Sequence, residues 1–587
     1  MFSWLKRKPP AVVNRASPEQ PPVASIAIQA EHGTRLLRAG NFLGAIDAFA
    51  QVLAREPRHF DALYQTVSAH LALVDLASAR LATTAACEAL SDHPELILLS
   101  AFVAKRSGDH GQSLATLLRL QAKHPDFPEL NIKIAEEYAT LGNGVETIAA
   151  IDRAVAENPE ELSRKSVRLF YLNFFALLGR EALFAEHQKW GSLIDEGFAI
   201  LRKPLEVDAS ADRPLQVGLV SGDLRNHAVA LFIEGYLREH DRENYSIHCF
   251  DVSPHAEDAV TGDLRGMVEH WYRVSALDDD ALADEIRRQK IDVLVDLSGH
   301  TMFNRLLVFA RRPAPVQVSW FGYMNTTGLT SIDYRLTDPG HDPVGESDRF
   351  YSEKLFHIPS LACFSPPESS PPVAPPPFVR NGKVTFFSAN QWTKVTESVI
   401  DLWAEILKDD SRPTLRISAK SAGSQSFRES VTEQFVRRGV LAEQIEIQPF
   451  LPMAEFLASF SEVDVALDPF PYGGGTTTLH TIWMGVPIIA LAGEGELGRA
   501  TPAMLRSFGL PDFVAQTHDE YRDKAIALAR DPSRLVEIRA NLRQRMADSP
   551  ALDASGLARN VENAFRTMWH TYCASRTTLA QPDAPTK

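Results

Sequence analysis

Chemistry is most concentrated between Asp468 and Pro487, in the run DPFPYGGGTTTLHTIWMGVP. An apolar segment ending in Val465-Ala466-Leu467 feeds three consecutive glycines, Gly473, Gly474 and Gly475. Thr476, Thr477 and Thr478 follow, and an apolar helical pattern begins. Glycine admits positive φ and a close approach of backbone to ligand. Threonine is a good helix N-cap. The first N–H groups of a helix lack intrahelical acceptors and sit at the positive end of its dipole, so they suit a phosphate. The Gly-Lys-Ser/Thr of a P-loop is missing. The same residues also make a tight strand-to-helix turn that needs no ligand.

A second group lies in Ser388-Ala389-Asn390-Gln391-Trp392-Thr393-Lys394, after another apolar strand. Lys394 stands near a helix start, where the dipole disfavours a cation. A bound diphosphate would supply the reason, and a solvent-exposed lysine is the other reading. His227, in SGDLRNHAVALF, precedes a helix and has the pKa range of an acid, base or hydrogen-bond donor. Capping that helix would explain it equally well. His270 and His300 are similar candidates. Asp278-Asp279-Asp280 suggests either a metal site or first-turn partners of a helix dipole. The loop Asn325-Thr326-Thr327-Gly328 would touch a sugar or phosphate, or simply turn the chain.

These groups need a scaffold that brings them together. From residue 213 the chain alternates strand and helix: strands at Leu215–Gly222, Tyr245–Val252, Ile291–Leu297 and Val316–Trp320, with helices at Ala228–Leu237 and Asp280–Gln289. The Pro-rich stretch SPPESSPPVAPPP, within 365–378, reads as a linker. The alternation then restarts, with strands at Val384–Ser388, Leu415–Ser418, Ile445–Gln448, Val463–Leu467 and Val486–Leu491. The expectation is two doubly wound parallel-sheet domains, 213–364 and 379–573, with ligand in the cleft at the carboxyl ends of the strands.

Residues 25–205 read as helices, punctuated by Pro57, Pro94, Pro125 and Pro159. The spacings of 37, 31 and 34 average 34, the period of tetratricopeptide repeats. Each proline is expected to stop the second helix of a unit, with Gly33, Ala45 and Phe49 as packing marks in the first. Phe170, Tyr171, Phe174, Phe175 and Leu178 form a capping region. Disordered tails are expected at 1–24 and 574–587.

With 587 residues, the chain has room for three or four domains at about 150 residues each. A net charge of −15 argues against a general nucleic-acid binder. The cysteines, Cys87, Cys249, Cys363 and Cys573, are far apart and suggest neither a zinc knuckle nor a disulfide framework. No apolar run reaches the roughly 20 residues of a membrane span, and none follows the basic N-terminus as in a signal peptide. The reading is a cytoplasmic protein.

Repeats followed by two doubly wound domains, with ARRPAPVQVSWFGY, YSEKLFHIP, FFSANQWTK and LDPFPYGGGTTTLHTIWMGVP in that order, resemble the protein O-GlcNAc transferases, or SPINDLY-like glycosyltransferases, over roughly residues 27–570. The resemblance implies a GT-B fold and an inverting, metal-independent enzyme without a cofactor. It would move a sugar, first choice GlcNAc from UDP-GlcNAc, to Ser or Thr of a protein acceptor chosen by the repeats. By the same resemblance His227 matches the active-site histidine of the first half and His270 a second histidine there. Lys394 matches the lysine that neutralises the departing diphosphate. Asn390 and Gln391 match neighbours lining that site, and Thr476 and Thr477 the threonines that hold the phosphates.

The chain departs from the animal relatives at Gly475, where they carry a histidine, at His480, where they carry an acid for the ribose, and at Phe456. The loop Tyr323-Met324-Asn325-Thr326-Thr327-Gly328 also differs. These departures touch the donor more than the reaction. They keep open GDP-fucose, a flagellin-modifying sugar, or a catalytically inactive repeat scaffold.

Overall fold

A computed structural model describes residues 23–410 and 412–580. The tail expected at 1–24 lies outside the described residues except for its last two, which open a helix, and residues 581–587 of the other tail are outside as well. The chain forms two compact units. One runs through Glu157 and includes Lys420–Glu433; the other comprises Asn158–Ala419 and the residues from Gln434 onward.

In the first unit, helices pair as Val23–Arg38 with Phe42–Leu53, Phe60–Ala72 with Leu76–Ala89, Pro94–Arg106 with His110–Lys123, and Leu130–Thr140 with Gly144–Glu157. Ala45 and Phe49 are fully buried, and a Cβ on Gly33 would stand 2.7 Å from the Phe49 ring, so the glycine makes room for the aromatic. The prolines are less regular than expected. Pro57, Pro125 and Pro159 follow helix ends, but Pro94 is the first residue of a helix, where its missing N–H costs nothing.

The turn between paired helices keeps the period better. Asn41, Asp75 and Asp109 cap the second helices by accepting from the backbone N–H of Gly44, Ser78 and Gln112 at 3.0 to 3.1 Å. The residue before each cap takes positive φ: Gly40, Val74 and Gly108, with Gly142 at the matching place in the fourth pair. Val74, at φ 59° and largely exposed, is a β-branched residue in a glycine position. Val74→Gly is therefore expected to stabilise the repeats by about 0.5–1 kcal/mol, relief of left-handed strain outweighing glycine's backbone entropy. A lower melting temperature in that variant would contradict the assignment.

The second unit opens with helices Leu162–Phe174 and Arg180–Phe198. The sequence reading grouped them with the repeats. Instead Leu169, Trp190 and Ile194 pack into the core of the first sheet, beside Val220, Phe250 and Leu294. That sheet contains β1 (Leu215–Ser221), β2 (Tyr245–Asp251), β3 (His270–Arg273), β4 (Val293–Asp296), β5 (Val316–Ser319), β6 (Tyr334–Thr337) and β7 (Lys354–His357). All neighbours are parallel, in the order β3-β2-β1-β4-β5-β6-β7. The second sheet has β8 (Thr385–Ser388), β9 (Thr414–Ser418), β10 (Ile445–Gln448), β11 (Val465–Leu467), β12 (Ile488–Leu491) and β13 (Val514–Ala515). It is parallel too, in the order β10-β9-β8-β11-β12-β13. Each sheet reverses its strand order once, between β1 and β4 and between β8 and β11. Such reversals open the crevice in which doubly wound sheets hold ligands.

The Pro-rich stretch, residues 365–377, carries no helix or strand. Arg539 and Arg543 tie it down by donating to the carbonyls of Ala374 (2.6 Å) and Pro371 (2.8 Å). The last helix, Ala554–Ala580, corrects two expectations. It runs past residue 574, since no proline or glycine follows Gly556 before Pro582. It also leaves the second sheet: Leu557, Val561, Phe565 and Trp569, four residues apart on one face, join the core of the first with Leu219, Ile233, Tyr236 and Trp320. Among the described residues no helix is long and apolar enough to cross a membrane.

Candidate active site

The glycine turn leaves β11 at the strand-order reversal of the second sheet. None of its three glycines takes positive φ, contrary to the expectation. Space is the reason for two of them. A Cβ on Gly473 would lie 2.6 Å from Asp468 Oδ2, and one on Gly474 would lie 2.3 Å from Thr478 Oγ1. A Cβ on Gly475 would meet nothing within 4 Å. The helix is Thr476–Trp483, and its N-cap is Gly475, so no side chain caps it. Thr476 and Thr477 therefore begin the helix rather than cap it. Open space faces a helix N-terminus whose first N–H groups have no capping side chain, which is the physical setting for an anion.

Lys394 reaches this turn from β8, the neighbouring strand. It ends a short 3-10 turn, Trp392–Lys394, and its Nζ donates to the Gly473 carbonyl at 2.8 Å. The ammonium also lies 3.7 Å from the centre of the Tyr472 ring. Burial pulls its pKa down to about 8, against the opposing charge of Asp468. Asn390 is buried at the end of the same strand with its amide oxygen against Gly474, while Gln391 is exposed. The structure thus brings Lys394, Asn390 and the glycine turn together.

His480 lies one turn into the helix, buried between the rings of Phe364 (5.1 Å) and Phe456 (6.1 Å). Its Nδ1 is buried without a hydrogen-bond partner, and burial pushes its pKa down to about 4, so the ring is neutral.

His227 follows β1 and caps helix Ala228–Glu239, its Nδ1 accepting from Val229 N–H at 3.3 Å. Asp223 stands 3.7 Å from the same nitrogen. Burial lowers the pKa, with Asp223 opposing and Arg225 adding to the effect. A neutral ring that accepts at Nδ1 carries its proton on Nε2, so His227 offers a donor in this state, not a base.

The other candidates lie elsewhere or have structural work. His270 starts the edge strand β3, exposed, with its ring 4.2 Å from that of His248. It is at the beginning of its strand, whereas His227 lies past the carboxyl end of β1, so the structure does not join the two. His300 is buried, accepting from Ser166 Oγ (2.8 Å) and donating to the Thr327 carbonyl (3.0 Å). Thr326 and Thr327 are fully buried and their hydroxyls donate to Glu353, which settles that loop as a turn. Asp278 caps a helix, and Asp279 and Asp280 pair with Arg305 and Arg311 at 2.7 Å.

Sequence reasoning passed over Asp468, Tyr472 and Thr501. The buried Asp468 carboxylate accepts from Gly474 N–H at 2.9 Å, and Thr501 Oγ donates to the Gly474 carbonyl at 3.1 Å. Asp468 was legible as a polar residue at a strand's carboxyl end. Thr501, far along the chain, gave no signal. The two sheets are tied by Arg335 on β6, whose guanidinium is wholly buried against Glu496 of helix Gly495–Ser507.

The model of glycosyl transferase family 41 matches residues 180–364 and 379–561, and a tetratricopeptide repeat model matches 31–94. A probable UDP-N-acetylglucosamine--peptide N-acetylglucosaminyltransferase SPINDLY of Oryza sativa subsp. japonica is 34% identical over 73% of this chain and 46% of its own length. The probable enzyme SEC of Arabidopsis thaliana is 30% identical over 62% of this chain and 38% of its own. The chain thus spans less than half the length of these curated relatives. A solved structure, a mutant O-GlcNAc transferase of Thermobaculum terrenum, superposes with TM-score 0.78 at 30% identity, covering 94% of this chain and 99% of that one. With a family model matching both sheet domains and more than half of the chain, the chain belongs to glycosyl transferase family 41.

Proposed function

We propose that the protein transfers a sugar from a nucleotide donor, UDP-GlcNAc as first choice, to Ser or Thr hydroxyls of a protein acceptor held by the repeats. The observation that carries this is Lys394 bonded to the glycine turn, beside a helix N-terminus without a side-chain cap and the open space at Gly475. In an inverting transfer the acceptor oxygen bonds to the anomeric carbon as the bond to the diphosphate breaks on the opposite face. Charge grows on the leaving diphosphate, and fixed donors with a cation favour that state over the ground state. Lys394 and the first N–H groups from Thr476 onward would meet it. His227, past the carboxyl end of β1, would donate from Nε2 to a substrate oxygen. In this reading these groups supply the positive charge, so transfer is expected to persist in EDTA. The donor follows the names of the relatives, and the repeat match supports a protein acceptor.

A second donor reading, GDP-fucose or another nucleotide sugar, rests on His480, whose unpartnered Nδ1 lies between two aromatic rings close to the glycine turn. Thermal unfolding with UDP-, GDP- and CMP-sugars separates the two. A ligand that binds only the native state at a hundredfold its Kd adds about 2.7 kcal/mol. Stabilisation by UDP-GlcNAc is expected, a stronger effect of a GDP-sugar selects the second donor, and stabilisation by none of them overturns the function.

A further inference from the structure

A carboxylate buried behind an anion site is out of place, because it repels the ligand. Asp468 is such a group: it leaves β11, is 2% exposed, and lies beneath the glycine turn. Its Oδ1 accepts from Gly474 N–H at 2.9 Å, and Oδ2 is packed against Gly473. Thr501 and Asn390 are its polar neighbours and, with Gly474 N–H, favour its charged form. Lys394 bonds the carbonyl of Gly473, on the same two-residue segment.

We propose that Asp468 is a positioning residue that keeps Lys394 charged and docked on the glycine turn while the site is empty, and yields it to the diphosphate when donor binds. The inference rests on the leaving-group role given to Lys394 above. Its physical content is a shared counter-charge. Burial works against both groups: Asp468 is the charge that opposes it at the ammonium, while at the carboxylate Thr501 and the Gly474 N–H oppose it first and Lys394 adds to them. Without Lys394 the carboxylate would be an uncompensated buried charge. Without Asp468 the ammonium would lose its proton more readily. The other ionisable groups packed here do not replace the carboxylate. Tyr472 lies under the ammonium, the Tyr521 hydroxyl donates to the Asp468 carbonyl, and Glu496 is paired with Arg335.

Asp468→Asn keeps an acceptor for Gly474 N–H and removes the charge. The full chain is labelled with trace acetic anhydride from about pH 6 to about pH 10, and the Lys394 peptide is read by mass spectrometry. Lys394 is expected to lose its proton in the variant at about a tenfold higher proton concentration than in the wild type. Unchanged Lys394 reactivity overturns the proposal, since a merely structural brace would not move it. A second comparison covers the case in which Asp468→Asn does not fold. The Lys394→Met/Asp468→Asn double variant is expected to melt at a higher temperature than Lys394→Met alone, because it removes a stranded charge. A double variant no more stable than the single one also overturns it. UDP and GDP binding to the wild type is measured in parallel. Failure of both to bind, with the Lys394 shift intact, sinks the transferase reading and leaves the pair standing.

Discussion

Lys394→Ala is expected to lower kcat by about 10²–10³-fold, the scale of losing one preorganised charge at a transition state. The loss belongs in kcat, with a smaller change in KM for the donor. The diphosphate carries more charge as the sugar leaves than in the bound donor, so the ammonium is worth most at the transition state. The variant should remain folded by circular dichroism and melt slightly below the wild type, because Asp468 loses its counter-charge. Lys394→Arg is expected to restore little. The ammonium bonds the Gly473 carbonyl with its charge over the Tyr472 ring, and a planar guanidinium cannot copy that compact geometry. Near-normal turnover in Lys394→Ala would remove Lys394 from the mechanism, and with it the main support for the proposed function.

The route to Lys394 was readable because β8 and β11 lie in apolar runs followed by polar loops, and such runs are neighbours across the strand-order reversal of a doubly wound sheet. The role of the glycines was not. Positive φ was the natural reason for three in a row, but two of them are small because Asp468 and Thr478 press against the turn. A packing reason of that kind depends on tertiary neighbours and leaves no local mark. Strands β3, β6 and β7 read HWYR, YRLT and KLFH, too polar for an apolar-run criterion, and so His270 stands among the site candidates in the sequence although it starts an edge strand. The repeats were found through their prolines, although the steadier marks are the caps Asn41, Asp75 and Asp109 after a left-handed residue. The return of helix Ala554–Ala580 to the first sheet was hidden for another reason. Its apolar face was plain, but a face does not name its partner.

Arg335→Met is expected to cost about 3–5 kcal/mol and to lower the melting temperature accordingly, because it leaves Glu496 as an unpaired buried carboxylate. Arg335 and Glu496 are both essentially without solvent exposure. Burial pushes the Glu496 carboxyl up, and Arg335 is the first group opposing that push. The guanidinium also donates to the Tyr323 carbonyl at 2.9 Å and to Ser319 Oγ at 3.1 Å, so its removal orphans acceptors at the carboxyl end of β5. Arg335→Met/Glu496→Leu removes both charges, and most of the loss should return, since a buried pair replaced by apolar groups of similar volume is often close to neutral. The double-mutant cycle therefore separates the price of a stranded charge from the worth of the pair. Because the pair joins β6 of one sheet to the helix after β12 of the other, the two variants should also differ in the nucleotide site. Arg335→Met, with Glu496 seeking solvent or a proton at the start of helix Gly495–Ser507, is expected to weaken UDP binding more than the double variant does. Equal melting temperatures for Arg335→Met and the wild type would mean that the charge of Glu496 is met by another group, and the two sheets would then be held by their apolar contacts alone.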